Sequence, residues 1–234
     1  MSGTLYGVGV GPGDPELITL KALRVLERTS IIAWPAPPEG DSLARRIAAP
    51  HLNGDKTEIA IRMPIEAGRF PDQRVYDTAA DEIATHLAAG RDVAVLCEGD
   101  PFFYGSFMYL FGRLAQDHTV QVVPGISSLT ASAAALGAPL AARNDTLAIL
   151  PATLPDAELE ARLRSIDAAV FIKVGRHLGR LRRLLKRLGL AADAHYIEHA
   201  TMADQRTQLL REVPDERAPY FSMVLVHRRG EAWT

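Results

Sequence analysis

Two short segments of the sequence combine glycine, aspartate and proline in a way that could hold a small ligand. Residues 11–15 read Gly-Pro-Gly-Asp-Pro, and residues 98–101 read Glu-Gly-Asp-Pro. Glycine lets a ligand approach the main chain closely, and an aspartate carboxylate accepts hydrogen bonds. One such segment alone is typical of an ordinary tight turn. Both segments follow apolar runs that predict buried strands, and α/β sheets bind ligands at the carboxyl ends of strands, so the pair indicates a shared site.

The glycine-rich run at residues 7–13 does not match the fingerprint of a dinucleotide-binding site. In the two possible registers the third glycine position is taken by Pro12 or by Asp14. The second predicted strand ends Ala-Trp-Pro at residues 33–35, without the acid that binds ribose. This pattern argues against a Rossmann dehydrogenase and also against a Rossmann-type methyltransferase. No Walker-A lysine follows either loop, and no spaced cluster of His, Cys and Asp predicts a metal site.

Strand and helix patterns alternate along the first half, which predicts an α/β fold with a mainly parallel sheet. The predicted strands there are 5–10, 30–34, 58–62, 92–97 and 120–123, and the helices are 18–28, 42–49, 72–89, 104–116 and 125–136. In the second half the predicted strands are 147–150, 168–174, 194–197, 207–213 and 220–226, with helices at 156–164 and 177–188. The last two strands are predicted to pair antiparallel, because residues 214–219 are too few for a crossover helix. We divide the chain into domains at 1–119 and 120–234.

Composition limits the classes of protein to which the chain could belong. The 234 residues carry a net charge of -2, which argues against a nucleic-acid-binding protein. No apolar run reaches the length of a membrane span, and no leader segment is recognisable at the start, so no membrane partner is expected. The single cysteine, Cys97, favours a reducing cytoplasm and lies in an apolar run that predicts a buried structural thiol.

With these segments in view, the sequence resembles the tetrapyrrole (corrin/porphyrin) methylases. Three of the family's motifs occur in order, as VGVGPGDP at 8–15, GDPFFYG at 99–105 and VPGISS at 123–128. A later family segment is matched by EHAT at 198–201, followed by Gln-Arg at 205–206. Each motif alone is weak, but four in the family's order are specific, and the similarity extends from residue 4 to residue 228.

Within this family the chain resembles the precorrin-2 C(20)-methyltransferases of cobalamin biosynthesis most. The resemblance lies in residues 98–109, in Trp34-Pro35 after the second strand and in Lys-Val-Gly-Arg at 173–176. Uroporphyrinogen-III methylases carry a Tyr-Asp pair where Trp34-Pro35 stands, so no acid–base role of that aspartate can be transferred. The alternatives are the cobalt-containing substrate of the anaerobic route, another tetrapyrrole methylase, diphthine synthase, or a non-catalytic SAM-binding sensor.

The resemblance implies two α/β domains with a cleft between them that binds S-adenosyl-L-methionine (SAM), and it implies a homodimer. The cofactor would be held by small, polar or apolar residues at loops, namely Gly99, Asp100, Pro101, Tyr104, Ser127, Ser128, Val174, Gly175, Ala200 and Thr201. A tetrapyrrole with many carboxylates would be bound by the first glycine loop and by basic side chains, namely Gly11, Pro12, Gly13, Asp14, Trp34, Arg45, Arg62, Arg143 and Arg176. The basic run at 180–187 alternates with leucines and is interpreted as the solvated face of a helix.

Three residues are predicted to act at the methylated carbon. Asp100 could accept a hydrogen bond from a pyrrole N–H, and Tyr220 could help to relay the released proton. Lys173 ends the predicted apolar strand 168–174, where burial would require an anionic partner such as a substrate carboxylate. The competing interpretation is structural: Asp100 would stabilise its turn, Lys173 would reach water and Tyr220 would pack in the core.

Overall fold

The computed structural model describes residues 2–63, 73–214 and 216–232 and divides the chain into two compact units, Met1–Ser127 and Ser128–Thr234. The division falls after Ser127, whereas the sequence placed it after residue 119. The physical reason is that the strand at Thr119–Val123 pairs with the first strand of the chain and belongs to its sheet. The predicted helix start at Asp72 lies outside the described residues.

The first unit is built on one parallel sheet. Its strands are β1 (Thr4–Gly9), β2 (Ile31–Ala36), β3 (Thr57–Arg62), β4 (Val93–Cys97) and β5 (Thr119–Val123), in the order β3-β2-β4-β1-β5. Its helices are α1 (Leu20–Arg28), α2 (Leu43–Ala48), α3 (Gln73–Ala88) and α4 (Phe107–Leu114), and short 3-10 turns occupy Pro15–Leu17 and Ala49–His51. All the pairings are parallel, which confirms the expectation from the alternating pattern, and the carboxyl ends of all five strands therefore lie at one edge.

The core of the first unit explains why these residues form strands and helices. Val93 to Cys97 are all buried, as a central parallel strand covered on both faces should be. One face is covered by α3 and α4, through side chains such as Ile83 and Phe107. Burial raises the pKa of the Cys97 thiol, and the nearby carboxylates of Glu98 and Asp100 raise it further. A thiol in this setting is inert, so the prediction of a buried structural cysteine is confirmed.

The second unit carries a mixed sheet in the order β6-β7-β10-β8-β9. Its strands are β6 (Leu147–Pro151), β7 (Ala168–Ile172), β8 (His195–Glu198), β9 (Arg206–Leu209) and β10 (Ser222–His227). Its helices are α5 (Ser128–Leu136), α6 (Asp156–Leu163) and α7 (Leu178–Arg187), with 3-10 turns at Gly175–His177 and Leu210–Glu212. β6 and β7 pair parallel, whereas β10 runs antiparallel to both of its neighbours and β9 antiparallel to β8.

The predicted pairing of the last two strands is wrong. β9 pairs with β8 in a hairpin, and β8 separates β9 from β10. The short connection does rule out a crossover helix, but it does not force its flanking strands to be neighbours. Residues between Leu209 and Ser222, which begin with a 3-10 turn, carry the chain past β8 so that β10 can fill the centre of the sheet.

One predicted helix begins later than expected, and another has the amphipathic pattern that the sequence predicts. α4 begins at Phe107 rather than at Tyr104, because Tyr104 has φ of 56° and cannot lie inside a right-handed helix. In α7 the leucines are fully buried and its arginines lie on the other side, as predicted for an amphipathic helix. Arg183 is exposed, although it also pairs with Glu216 at 3.0 Å.

An ionic cluster fixes the start of β6 to the end of β10. The Asp145 carboxylate accepts hydrogen bonds from Arg229 at 2.8 and 3.0 Å and from the backbone N–H of Ala142 at 2.7 Å. His227 Nε2 lies 3.2 Å from the same carboxylate. These contacts, that of Arg229 above all, hold the pKa of Asp145 well below its usual range. Across the described residues, no helix combines the length and the apolarity that crossing a membrane needs.

Candidate functional site

The two glycine–aspartate–proline loops meet at the carboxyl edge of the first sheet. Gly99 donates its N–H to the carbonyl of Gly11 at 2.8 Å, and Gly11 donates in return at 3.4 Å, which forms an antiparallel bridge between the loops after β1 and β4. Both residues have positive φ, 82° at Gly11 and 65° at Gly99, a conformation that glycine adopts without strain. The prediction that the two segments share one location is confirmed.

The third family motif joins them through close backbone packing. A Cβ placed on Gly125 would lie 2.0 Å from the carbonyl oxygen of Gly99, and one on Gly9 would lie 2.6 Å from the Cα of Gly125. Neither position has room for a side chain. The three motif loops, after β1, β4 and β5, therefore form one compact backbone surface at this edge, which we call the glycine platform (Gly9, Gly11, Gly99 and Gly125).

Asp100 links the loops of the platform by hydrogen bonds. Its Oδ1 accepts the N–H of Phe102 at 2.9 Å, and its Oδ2 accepts the N–H of Gly125 at 3.0 Å. Each carboxylate oxygen thus has a main-chain partner, one in its own turn and one in the loop after β5. This geometry supports the structural interpretation of Asp100, and the proposed contact with a pyrrole N–H stays a prediction.

The substrate candidates of the first unit lie beside the platform or just beyond it. Trp34 is buried in β2, and the guanidinium carbon of Arg45 lies 5.5 Å from the centre of its ring. Arg45 also pairs with Glu58 at 2.7 Å. Arg62, at the end of β3, is exposed and donates to the carbonyls of residues 37 and 38 at 3.1 and 3.3 Å. In the first loop Pro12 is buried, Gly13 is partly buried, and Asp14 caps the following 3-10 turn.

Glu98 is a residue at this edge that the sequence interpretation did not select. It follows β4 directly, is half-buried, and its Oε1 accepts the N–H of Ala44 at 3.2 Å at the start of α2. Burial raises the pKa of this carboxyl group, against the opposing effect of the backbone N–H groups that point to it. The sequence did contain a signal for Glu98, because it comes immediately after a fully apolar strand. A carboxylate at such a position loses part of its contact with water, which shifts its pKa.

The residues directly after Pro101 place aromatic side chains beside the glycine platform. Phe102 is 49% exposed and Tyr104 is 51% exposed, so both offer apolar surface at the edge. Phe102 packs edge-to-face on Phe111 of α4, with ring centres 5.1 Å apart. Ser127, in the third motif, is partly buried, and Ser128 is the first residue of α5.

Seven candidate residues of the second unit gather at one edge of its sheet. β7 and β8 end there and β10 begins there, because β10 runs antiparallel to both. The loops that follow or precede these strands are joined by hydrogen bonds, from His199 N–H to the Phe221 carbonyl at 2.8 Å and from Ala218 N–H to the Gly175 carbonyl at 2.9 Å. These loops, which we call the second-sheet edge, carry the predicted residues Lys173, Val174, Gly175, Arg176, Ala200, Thr201 and Tyr220.

Arg143 does not lie at this edge. It lies in the turn before β6, at the opposite end of that strand, beside the Asp145 cluster. β6 and β7 are parallel, so residues before β6 and residues after β7 lie at opposite edges of the sheet. Within the second unit, Arg143 is therefore not grouped with the other predicted substrate residues.

Lys173 and Tyr220 differ from their predicted settings. β7 ends at Ile172, so Lys173 is the exposed first residue of the following loop and not a buried interruption of the strand. Its position needs no anionic partner to offset burial. Tyr220 precedes β10, which begins at Ser222, and it is 73% exposed with its ring 5.0 Å from that of Phe221. Both side chains are thus exposed at this edge.

Backbone strain is concentrated at these two edges. Among the described residues five non-glycine residues have positive φ, and four of them lie at the glycine platform or the second-sheet edge: Tyr104, Lys173, His199 and Thr201. Left-handed backbone is unfavourable for residues with a Cβ and is found most often where function requires it. Neighbouring side chains hold the hairpin residues in place, since Gln205 Oε1 accepts the Thr201 N–H at 2.7 Å and His199 Nδ1 lies 2.6 Å from Asp204.

Comparison with known proteins identifies this arrangement. The family model of the tetrapyrrole (corrin/porphyrin) methylases matches residues 4–214. A precorrin-2 C(20)-methyltransferase from Sinorhizobium sp is 42% identical over 232 residues, which cover 96% of this chain and 95% of that protein. The cobalamin biosynthesis protein CobIJ of Mycobacterium tuberculosis is 44% identical over 96% of this chain.

The match to CobIJ covers 46% of that protein, so this chain spans about half the length of the curated relatives of that name. Among solved structures, uroporphyrin-III C-methyl transferase from Thermus thermophilus, complexed with S-adenyl homocysteine, has a TM-score of 0.68 and 24% identity. The alignment covers 97% of this chain and 98% of that one. This likeness confirms the predicted fold class, an α/β architecture of the tetrapyrrole methylase type that is distinct from the Rossmann methyltransferases.

Proposed function

Because this chain belongs to the tetrapyrrole (corrin/porphyrin) methylases, we propose that it transfers a methyl group from SAM to C(20) of precorrin-2. The products would be precorrin-3A and S-adenosylhomocysteine, in cobalamin biosynthesis. The observation that carries the proposal is the glycine platform, in which three motif loops of the family meet by backbone contact at the carboxyl edge of a parallel sheet. The relative with the name of this activity matches nearly the full length of both chains.

The residues at the two edges fit SAM as the methyl donor. A Cβ added to Gly175 would meet no atom within 4 Å, so a ligand can approach the main chain there. Ala200 lies at this edge and suits contact with an adenine ring, whereas Val174, whose side chain is fully buried in the core, would face the cofactor through its main chain. Ser127 and Thr201 carry hydroxyl groups. With Gly99, Asp100, Pro101, Tyr104 and Ser128, these residues would hold the cofactor. SAM supplies the methyl group from its sulfonium, and the meso carbon of the tetrapyrrole is the nucleophile.

The protein's own contribution to such a displacement is orientation and exclusion of water. The exposed side chains of Lys173 and Arg176 can pair with peripheral carboxylates of the substrate. Trp34 and Arg45 form a stacked pair beside the platform, and Arg62 lies at the same edge of the sheet. Asp100 holds the platform rigid, and Tyr220 offers an exposed phenol for hydrogen bonding.

The assembly and the location of the protein belong to the same proposal. Membership of the family supports a homodimer, and the single buried cysteine supports a cytoplasmic location. The cobalt-containing form of the substrate presents the same carboxylates and is the main alternative. Diphthine synthase activity and a non-catalytic SAM sensor are further alternatives.

The experiment that tests the function is a single incubation followed by mass spectrometry. Purified protein is mixed with SAM and enzymatically made precorrin-2, and in parallel with its cobalt complex. We expect the tetrapyrrole to gain one methyl group in the first mixture. A gain only with the cobalt complex would assign the protein to the anaerobic substrate. If neither tetrapyrrole gains mass while SAM binds, the proposal is wrong and the sensor alternative is favoured.

A further inference from the structure

Methylation of a meso carbon that carries hydrogen releases a proton. The new C–CH3 bond forms as the S–CH3 bond breaks, and the carbon must then lose its C–H proton to restore conjugation. The balance is substrate and SAM on one side, and methylated substrate, S-adenosylhomocysteine and one proton on the other. A carboxylate or other base near the carbon can take up that proton and pass it to water.

Glu98 is a carboxylate beside the glycine platform that takes no part in holding the motif loops together. Both oxygens of Asp100 accept main-chain N–H groups and hold the loops. Asp14 Oδ1 caps a 3-10 turn through the N–H of Glu16 at 2.9 Å. In Glu98, Oε1 accepts the N–H of Ala44, and the residue's own backbone N–H also points to the carboxylate. No hydrogen bond from another residue to Oε2 is found in the described part of the chain.

We propose that Glu98 accepts the proton released at the methylated carbon, with its Oε1 anchored on α2 and its Oε2 directed to the substrate. This inference rests on the function proposed above. Glu98 follows β4 at the carboxyl edge, between the platform residue Gly99 and the helix that carries Arg45. The Arg45 guanidinium is already paired with Glu58, so it does not neutralise Glu98.

The electrostatic setting supports this role. Burial disfavours the ionised form of Glu98 and raises its pKa, which makes the carboxylate a stronger base than an exposed one. The titratable or charged groups on the surrounding elements are Arg45 and Arg46 on α2, Cys97 on β4, and Asp14 and Asp100 on the adjoining loops, while residues 31–36 of β2 contribute none. A carboxylate that stays ionised while partly buried lowers the stability of the folded protein. Such a loss of stability is usual at catalytic sites.

The decisive comparison is between Glu98→Gln and Glu98→Ala in the full chain, with precorrin-2 and SAM as substrates. Glutamine keeps an oxygen that can accept the Ala44 N–H but cannot take up a proton, whereas alanine removes both functions. We expect Glu98→Gln to lower kcat on the order of a hundredfold, with the KM for SAM unchanged. We also expect it to abolish the acidic limb of the pH–rate profile, in which the wild-type rate rises as Glu98 ionises.

Asp92→Asn is the matched control. Asp92 precedes the same strand and accepts the Thr4 N–H at 2.7 Å, at the opposite edge of the sheet. This variant should retain the wild-type kcat and pH profile.

A second readout does not depend on turnover. The pKa of Glu98 is raised in the folded state, so its ionised form destabilises the fold above that pKa. Glu98→Gln should therefore unfold at a higher temperature than wild type near pH 8, and this advantage should shrink as the pH falls toward the ordinary glutamate value of 4.5.

The outcomes separate the two proposals. A wild-type protein that methylates no tetrapyrrole would disprove the function and the role of Glu98 with it. An active wild type with a Glu98→Gln variant of equal kcat, or one that retains the acidic limb, would disprove the role of Glu98 alone. Loss of activity in Glu98→Ala but not in Glu98→Gln would show that Glu98 only positions α2.

Discussion

Lys173 combines two properties that seldom occur together, an exposed basic side chain and a left-handed backbone with φ of 56°. A residue with a Cβ in this conformation is less stable by about 1 kcal/mol, and glycine would remove that strain. Its side chain is exposed at the second-sheet edge, where we propose that it contacts a substrate carboxylate. The strain and the function can be separated by substitution.

Lys173→Gly should therefore leave stability unchanged or raise it by up to about 1 kcal/mol, because relief of strain outweighs the greater freedom of glycine in the unfolded chain. Its kcat/KM for the tetrapyrrole should fall at least about tenfold through loss of a charge-assisted contact. Lys173→Arg keeps the charge and serves as the control, with most activity retained. Urea unfolding and steady-state kinetics measure the two effects, and a Lys173→Gly variant with native kinetics would contradict the proposed contact.

At the scale of elements, the glycine platform depends on the exclusion of side chains from the loops after β1, β4 and β5. Gly125→Ala places a Cβ 2.0 Å from the Gly99 carbonyl, and only backbone movement can relieve that clash. We expect a loss of about 3 kcal/mol or more in the free energy of unfolding, accompanied by loss of SAM binding. Gly112→Ala in α4 is the control, because its Cβ meets no atom within 4 Å and alanine favours a helix.

That control should be more stable than wild type by about 0.5–1 kcal/mol. Thermal unfolding and calorimetric SAM titration of the two variants test the platform directly. A Gly125→Ala variant with wild-type stability would show that the three loops do not need their close packing.

A second prediction at the scale of elements concerns how the stability of the fold depends on pH through the Asp145 cluster. The folded-state pKa of Asp145 lies below its ordinary value of 3.8, so its ionised form stabilises the fold above that pH. This stabilisation is lost as the pH falls from 3.8 toward the folded-state pKa. Asp145→Asn should be less stable than wild type at neutral pH, because Arg229 and His227 lose their anionic partner.

The difference between Asp145→Asn and wild type should narrow as the pH falls below 3.8, because the carboxylate of the unfolded chain is protonated there while the folded one still resists protonation. Thermal unfolding midpoints over a pH series measure this convergence. Asp193→Asn, which removes an exposed carboxylate on the loop before β8, is the control and should match the wild type in stability at neutral pH. A constant difference across the series would exclude Asp145 as the source of acid sensitivity.

At the scale of the whole molecule, the chain consists of two α/β units with different sheets, one fully parallel and one mixed. The proposed homodimer would join two copies of the chain about a two-fold axis. Sedimentation equilibrium at micromolar concentration should therefore give twice the chain mass of 25.4 kDa. A single species at the monomer mass over that concentration range would contradict the prediction.

The alternation of apolar runs with amphipathic segments was enough to predict the parallel first sheet and the amphipathic α7. These features depend on local periodicity, which any buried strand or half-buried helix imposes on its own residues. The four motifs were also local, and their order was enough to identify the family. The sequence therefore determined the fold class, the family and the positions of the glycine loops.

The tertiary structure decided how these local features meet. The partner of Asp100 is Gly125, and the partner of Glu98 is Ala44, far apart along the chain, so no spacing rule could pair them. The exposure of Lys173 depends on where β7 ends, and the place of β10 between β7 and β8 depends on long-range pairing. Hydrogen bonding and burial between distant segments are properties of the folded chain. They distinguish Asp100, whose carboxylate holds the loops, from Glu98, which we propose takes up a proton.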